Sequence, residues 1–164
     1  MDKLWAPWRI NYIRQKKQKK CIFCLPAEKN GGKHAVFQTR YSICILNTFP
    51  YNNGHLMVSP KRHVRDLRLL KEGEASDLFN AVNRSMALLD KVLKPQGYNI
   101  GINLSKVAGA GITGHLHIHI VPRWTGDTNF MPVIHGTKVI SQSLDELFKK
   151  LKNAQSKTKK TDRR

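Results

Sequence analysis

The sequence has little that would place it in a membrane or cross-link it with disulfides. No apolar run in its 164 residues approaches the ~20 residues that cross a bilayer, and the first residues lack the apolar segment of a signal peptide. Only three cysteines are present, too few for the disulfide framework of a small secreted protein. We therefore expect a soluble, cytoplasmic protein, and the length favours one domain with terminal arms.

Acidic residues are also scarce. The chain has 11 Asp and Glu against 29 Lys and Arg, which gives a formal net charge of +18. Thirteen of the basic residues lie in two short segments, 14–20 and 149–164. Two solvated basic arms are the simpler interpretation. Attraction of a polyanion, either nucleic acid or a polyphosphate ligand, is the alternative, and composition leaves both open.

The hydrophobic pattern predicts an α+β domain. Five short β-prone runs are separated by turn signals: 35–38, 42–46, 55–59, 98–104 and 115–121. Apolar residues at three- and four-residue steps predict a long helix over 74–94, with its apolar stripe, Phe79 included, in the core. Pro95 and Gly97 end this helix. Strands around one long helix indicate a mainly antiparallel sheet.

The chain divides into three parts on this pattern. Residues 1–20 form an N-terminal arm with an aromatic start and a basic run. Residues 21–152 form the domain and include a short helix over 143–151. Residues 153–164 form a basic tail that is predicted to be disordered.

Three of the seven histidines occupy alternate positions in one β-prone run, His115-Leu116-His117-Ile118-His119. Alternate side chains of a strand share a face, so we expect the three imidazoles on one side, ~7 Å apart, and the apolar residues toward the core. A solvated polar stripe and a pure metal site are alternatives. The pattern favours nucleophilic or acid/base chemistry, with room for one of the three histidines to serve a metal.

A glycine-rich loop, 107–114, leads directly into these histidines. Gly109, Gly111 and Gly114 present backbone N–H groups with little side-chain bulk, as a loop around a phosphate requires. Many such loops are plain turns. The position directly before three histidines favours an anion site.

The motif His-φ-His-φ-His-φ-φ, with φ apolar, resembles the signature of the histidine triad family of nucleotide hydrolases and transferases. Further motifs follow the family's order: Cys21-Ile22-Phe23-Cys24, Asn47, residues 54–63, Asn103 and Pro122-Arg123-Trp124. Segments 4–9 and 126–133 resemble the branch that includes diadenosine tetraphosphate phosphorylases. The resemblance covers about residues 4–140. It implies the HIT-like α+β fold, a mainly antiparallel sheet with one long helix and a short C-terminal helix.

The resemblance implies roles for three histidines. His117 would be the nucleophile, attacking the α-phosphorus of a dinucleoside polyphosphate to form a nucleotidyl-histidine intermediate that water or phosphate releases. His119 would hydrogen-bond the phosphate or the leaving oxygen, and His55 would line the same pocket. An imidazole with a pKa of about 6.5 is largely neutral at pH 7, so activity is expected to fall below about pH 6.

Four further residues are expected to bind the nucleotide. By similarity, Asn47 would contact the ribose and Asn103 the phosphate. Many relatives carry Gly-Gln before the triad, whereas residues 108–112 of this chain read Ala-Gly-Ala-Gly-Ile, in a loop one residue longer. Backbone amides around Gly111, with Thr113 or Ser105, would then replace the glutamine.

Zinc is the expected cofactor. Cys21 and Cys24 form a Cys-x-x-Cys pair, which inside a cell indicates metal or redox chemistry, and tetrahedral zinc needs two further ligands. Zinc-bearing members of the family use the histidines at the positions of His63 and His115. The resemblance therefore implies a structural site of these four residues. The alternative is a pair of buried thiols, and Cys44 is expected to be a buried thiol.

The predicted function is cleavage of a dinucleoside polyphosphate by a homodimer. A nucleoside phosphoramidate hydrolase or a nucleotidyltransferase of the same family is the nearest alternative. A zinc-stabilised nucleotide- or nucleic-acid-binding protein, with weak nonspecific contacts through its basic arms, is the alternative outside enzymes. No contact with a membrane is expected.

Overall fold

The computed structural model describes residues 21–24, 34–127, 140 and 142–161. The N-terminal arm and most of the branch segment 126–133 lie outside these residues. The described elements follow in this order: β1 (Ala35–Gln38), β2 (Ser42–Leu46), β3 (Leu56–Pro60), a 3-10 turn (Leu67–Leu69), α1 (Glu72–Leu93), β4 (Gly97–Ile102), β5 (Ile118–Arg123) and α2 (Leu144–Thr161). The expected α+β architecture is confirmed.

The strands form one antiparallel sheet in the order β1-β2-β3-β5-β4. One face packs against α1 and α2 and contributes most of the core: Val36, Cys44, Leu46, Leu56, Val58, Ile118 and Ile120. The opposite face carries Ile43, Ile45 and Met57, which pack with Phe23. Phe23 belongs to residues 21–24, which we call the N-terminal segment. Because both faces are covered, the inner strands are apolar at nearly every position.

Helix α1 lies across the first face of the sheet. It begins where the Lys71 backbone N–H donates to the Glu74 carboxylate (2.9 Å) and ends before Lys94, which has a left-handed φ of 48°. The buried stripe follows Leu78 at helical spacing. Phe79 was expected in this stripe, but it is 59% exposed. It lies about 100° around the helix from Leu78, past the edge of the buried face.

Helix α2 continues to Thr161, ten residues beyond the predicted end at Leu151. Leu151 is buried, and Ala154 still packs against the core. Lys152 donates from Nζ to the Val36 carbonyl oxygen (3.2 Å) at the outer strand β1. Contacts of the helix with the sheet thus continue past its last leucine. No helix among the described residues is long and apolar enough to span a bilayer.

Strand β5 begins at Ile118, three residues later than predicted. The preceding chain has other partners, since the Leu116 N–H donates to the Val64 carbonyl oxygen (2.6 Å). The Leu116 carbonyl oxygen accepts from Ser59 Oγ (2.7 Å). The first two histidines of the motif therefore precede the strand ladder, and the side chain of Ser59 fixes their path against β3.

Candidate active site

The three histidines of the motif are buried on the sheet face opposite the two long helices. His115, His117 and His119 are 1%, 3% and 8% exposed, while the apolar residues between them enter the main core. Phe23, between the two cysteines, packs its ring 5.2 Å from that of His115 and 5.1 Å from that of His117. The predicted alternation is confirmed, but the histidine face is covered by protein and is not a solvated stripe.

His115 has its proton position fixed by a backbone carbonyl. Its Nε2 lies 2.8 Å from the Pro60 carbonyl oxygen. A carbonyl only accepts, so Nε2 carries the proton and Nδ1 carries the lone pair. That Nδ1 lies 3.1 Å from Cys21 Sγ and 3.6 Å from Cys24 Sγ. The ring therefore presents a ligand atom to both thiols.

These contacts belong to a four-residue cluster, which we call the thiol cluster: Cys21, Cys24, His63 and His115. One ligand atom from each residue lies within 4.8 Å of all the others, and Cys24 Sγ is 3.3 Å from His63 Nδ1. Tetrahedral zinc, with bonds of about 2.0–2.3 Å, separates its ligand atoms by about 3.3–3.8 Å. The distances between the ligand atoms and the thiol and imidazole donors fit a metal ion. The Pro60 carbonyl oxygen, which orients the His115 ring, fits one as well. The thiol cluster could therefore hold a metal.

His117 has the opposite proton position. Its Nδ1 lies 2.8 Å from the His115 carbonyl oxygen and must donate to it. The lone pair of the ring is therefore at Nε2. His117 is not part of the thiol cluster, and no hydrogen bond to its Nε2 is found in the part of the chain that the structure describes.

His55 and His119 form a hydrogen-bonded pair whose protons are set by the turn between β2 and β3. The Tyr51 backbone N–H (3.0 Å) and Asn47 Nδ2 (3.2 Å) both donate to His55 Nδ1. The Asn47 amide is oriented by the Phe49 N–H, which donates to its Oδ1 (2.9 Å). His55 therefore carries its proton on Nε2 and donates it to His119 Nδ1 (2.9 Å). That leaves His119 with its own proton on Nε2.

Burial keeps these rings neutral. Loss of hydration, together with the nearby imidazoles, lowers the pKa of His55 to about 3 and the pKa of His119 to about 4. Burial also lowers the pKa of His117. Because these shifts favour the neutral rings, we expect the fall in activity to begin at a lower pH than the value of about 6 predicted from the sequence.

Two residues that the sequence patterns did not single out shape the space beside His119. The exposed ring of Tyr51 lies with its centroid 4.5 Å from that of His55 and 5.4 Å from that of His119. Gly101 pairs with His119 in the β4–β5 ladder, and no atom lies within 4 Å of the place a Cβ would take. Tyr51 thus shields one side of the histidine pair, and Gly101 leaves room on the neighbouring strand.

Comparison with known proteins identifies the family. A model described as the HIT domain matches residues 28–126. The chain belongs to the histidine triad (HIT) family. An AP-4-A phosphorylase of Mycobacterium tuberculosis is 35% identical over 154 residues, covering 88% of this chain and 79% of the relative.

Two further similarities are more distant. The asymmetrical bis(5'-nucleosyl)-tetraphosphatase of Schizosaccharomyces pombe is 34% identical over 96 residues, covering 58% of this HIT chain and 52% of the relative. The crystal structure of a Zn-bound histidine triad family protein from Mycobacterium smegmatis matches with a TM-score of 0.69 at 24% identity, covering 87% of this chain and 97% of that one. This match supports the HIT fold, and the resemblance seen in the sequence is confirmed.

The structure describes the other four predicted binding residues, Asn47, Asn103, Gly111 and Thr113. Asn103 directly follows β4, whose last residue Ile102 pairs with Ile118, and its predicted contact with a phosphate stays a prediction. Gly111 and Thr113 are exposed in the loop that precedes the triad. Asn47 is buried with its amide engaged by a neighbouring ring, so its predicted contact with a ribose stays a prediction.

The triad combines a lone pair and a proton donor on one face. His117 presents the lone pair of Nε2, and His119 presents its Nε2–H, with ring centroids 4.8 Å apart. In-line displacement at phosphorus needs this combination, because one group attacks while the other donates to an oxygen. The site is thus suited to nucleophilic catalysis on a phosphate ester or anhydride.

Proposed function

We propose that the protein cleaves a dinucleoside polyphosphate of the diadenosine tetraphosphate type through a nucleotidyl-histidine intermediate on His117. The observation that carries the proposal is the hydrogen bond from His117 Nδ1 to the His115 carbonyl oxygen, which leaves Nε2 unprotonated. The names of the relatives, an AP-4-A phosphorylase and a bis(5'-nucleosyl)-tetraphosphatase, support this class of substrate.

In the first step, His117 Nε2 attacks the α-phosphorus in line with the bond to the bridging oxygen. A nitrogen–phosphorus bond forms, and the phosphorus–oxygen bond breaks with its electron pair on the oxygen that leaves. His119 Nε2–H donates a hydrogen bond to that oxygen and stabilises the charge on it. Asn103 contacts the α-phosphate, and the amides around Gly111 with Thr113 hold the remaining phosphates.

In the second step, water or inorganic phosphate attacks the same phosphorus. The nitrogen–phosphorus bond breaks, and its electron pair returns to His117 Nε2. With water, the product is a nucleoside monophosphate and the proton of the water passes to solvent. With phosphate, the product is a nucleoside diphosphate. His55 holds the proton position of His119 through both steps.

The thiol cluster is proposed to hold zinc. The four side chains would complete a tetrahedral shell, so bound zinc supplies a cross-link between the N-terminal segment and the triad and no reactive water. This cross-link would lie close to the nucleophile, because Phe23 lies between Cys21 and Cys24 and its ring packs against that of His117. We expect the metal to act on stability first and on turnover only through the position of His117.

A homodimer is also proposed. β4 is the last strand of the described sheet, and Ile100 on it is 48% exposed. An edge strand with free backbone groups and an exposed apolar side chain is suited to pairing with a second copy. Sedimentation of the full chain at micromolar concentration tests this, and a monomer under those conditions contradicts it. Cytoplasmic location and weak nonspecific contact of the basic arms with nucleic acid stay predictions.

Product analysis tests the reaction. The protein is incubated with diadenosine tetraphosphate, with and without inorganic phosphate. ADP and ATP that form only with phosphate identify a phosphorylase, whereas AMP and ATP without phosphate identify a hydrolase. Substrate labelled at the α-phosphate should leave label on wild-type protein quenched during turnover and none on His117→Ala. Absence of cleavage with either acceptor overturns the proposal.

A further inference from the structure

We propose that Asn52 and Asp127 are positioning residues that set where the protons lie on the His55–His119 pair. They hold the turn that aims the Tyr51 backbone N–H at His55. This inference rests on the proposed function, because it concerns the proton that His119 offers to the substrate. The sequence patterns assign neither residue a role of its own: Asn52 belongs to a turn signal, and Asp127 to the branch segment 126–133.

Asn52 ties the turn between β2 and β3 to the end of the neighbouring strand β5. Its side chain is buried, and Nδ2 donates to the Pro122 carbonyl oxygen (2.9 Å) and to Asp127 Oδ2 (2.7 Å). Its own backbone carbonyl oxygen accepts the His55 N–H (3.2 Å). The residue next to Tyr51 is therefore tied both to the end of β5 and to the histidine that Tyr51 contacts.

Asp127 is the second half of this anchor. Its Oδ2 also accepts from Arg123 Nε (2.7 Å) and from the Trp124 N–H (3.0 Å), while Oδ1 accepts from Arg123 Nη2 (2.8 Å). The carboxyl side chain is only 7% exposed. With several donors around it, the carboxylate has little freedom to move, and it gives Asn52 a fixed acceptor.

The other end of the turn is held by packing. Gly54 has a φ of 80°, a conformation that other residues rarely adopt. A Cβ there would lie 2.5 Å from Leu93 Cδ1 and 3.1 Å from Pro122 Cγ. The turn thus packs closely against the end of α1 at Gly54. The hydrogen bonds of the Asn52 side chain hold its other end in place.

The position of the turn decides the tautomers. A backbone N–H can only donate, so its approach to His55 Nδ1 keeps the proton on Nε2 of both His55 and His119. If the turn shifts, only Asn47 still donates to His55 Nδ1. The inverted pair, with protons on Nδ1 of both rings, then gains population. In that state His119 Nε2 carries a lone pair that repels phosphate oxygens.

Asn52→Ala and Asp127→Asn in the full chain test the anchor. We expect wild-type His55 and His119 to be protonated on Nε2, as read from the ¹⁵N shifts of the imidazole nitrogens. Each variant should show a mixture with the Nδ1–H form, a kcat about tenfold lower and a KM within about twofold of wild type. Asp90→Asn is the matched control, since it removes a carboxylate that accepts from Tyr98 Oη (2.6 Å); its tautomers and kcat should be unchanged.

Two results would overturn the inference. One is wild-type protein with His119 protonated on Nδ1. The other is a folded Asn52→Ala or Asp127→Asn variant with wild-type tautomers, whatever its stability. If Asn52→Ala does not fold, the tautomers of Asp127→Asn and of the wild-type protein still test the inference. The tautomers are read without turnover, so this failure is distinct from failure of the proposed function, which would appear as wild-type protein that cleaves nothing.

Discussion

The two sides of His117 carry the same residue at the same spacing but have opposite chemistry. Two residues before it, His115 donates from Nε2 to the Pro60 carbonyl oxygen and turns the lone pair of Nδ1 toward two thiols. Two residues after it, His119 accepts at Nδ1 from His55 and keeps its proton on Nε2. One ring is suited to bind a metal and the other to donate to a substrate.

The difference comes from the backbone group at the start of each network. A carbonyl begins the network at His115, and the N–H of Tyr51 begins the network that ends at His119. Carbonyls accept and amides donate, so each assigns a tautomer to an imidazole that by itself has no preference strong enough to define a role. The strand period places the rings on one face, and these neighbours give them separate functions.

Removal of the nucleophile between the two sides should have the largest effect. His117→Gly takes away the Nε2 lone pair, and we expect kcat to fall by at least about 10⁴-fold because no other described group is placed to attack. Zinc content should change little, because His117 lies outside the thiol cluster. Steady-state kinetics with diadenosine tetraphosphate measure the loss, and added free imidazole should restore part of the activity.

His34→Ala provides the control for this variant. The His34 ring packs 6.1 Å from Phe148 of α2, away from the triad, and its loss should leave kcat unchanged. Turnover by His117→Gly within tenfold of its parent would contradict the covalent route.

The two flanking histidines should respond differently to the same substitution. His119→Ala removes the proton donor, so kcat should fall by about 10²–10³-fold while bound metal stays near wild type. His115→Ala should lose the metal and lower the melting temperature. Kinetics, metal analysis and thermal unfolding of the pair measure this contrast. Equal loss of metal in both variants would show that the two sides are not separate.

Much of the fold followed from short-range patterns. The β-branched Ile43 and Ile45 predict β2 at its observed bounds, and the spacing of Leu78, Val82 and Leu89 predicts α1 to within two residues. Phe79 was misplaced because a list of apolar residues does not say where the buried face of a helix ends. The end of α2 was missed because the last contacts come from a lysine and an alanine.

The candidate site was only partly predictable. The His-x-His-x-His spacing places three imidazoles on one face, and the resemblance to the family grouped Cys21 and Cys24 with two of the histidines. The partners that assign the tautomers are backbone groups, the Pro60 carbonyl and the Tyr51 N–H. Every residue has a backbone carbonyl and every residue but proline an N–H, so no sequence pattern marks them. Only the folded chain shows which are aimed at a ring.

Loss of ligands from the thiol cluster should lower the melting temperature more than the catalytic activity. Cys21→Ser combined with Cys24→Ser removes two of four ligands, so we expect no stoichiometric zinc and a melting temperature lower by roughly 10 °C. Activity should fall by less than about tenfold, since His117 keeps its hydrogen bond to the backbone. Metal analysis and calorimetry measure both effects.

The third cysteine provides the control for the two cysteines of the thiol cluster. Cys44 is buried in the main core and lies outside the thiol cluster. Cys44→Ser should keep the metal, even where the buried hydroxyl lowers stability. Wild-type protein without bound metal, or a double variant that retains it, would contradict the assignment.

The smallest predicted effect is in the pH profile, and it concerns the other side of His117. A free imidazole with a pKa of about 6.5 is roughly 90% protonated at pH 5.5. Burial and the adjacent rings lower the pKa of His55 to about 3 and the pKa of His119 to about 4, so both should remain neutral at pH 5.5. Burial lowers the pKa of the nucleophile His117 as well, so we expect kcat to begin its fall at a lower pH than the titration of free imidazole would give. The stability of the fold should depend on pH more strongly than kcat does. Below pH 6.5 His55 and His119 bind protons in the unfolded chain, whereas in the folded chain they stay neutral. The free energy of unfolding should therefore decrease as the pH falls from 6.5 toward 4. A kcat that falls along the titration curve of free imidazole, in protein that is still folded, would contradict this prediction.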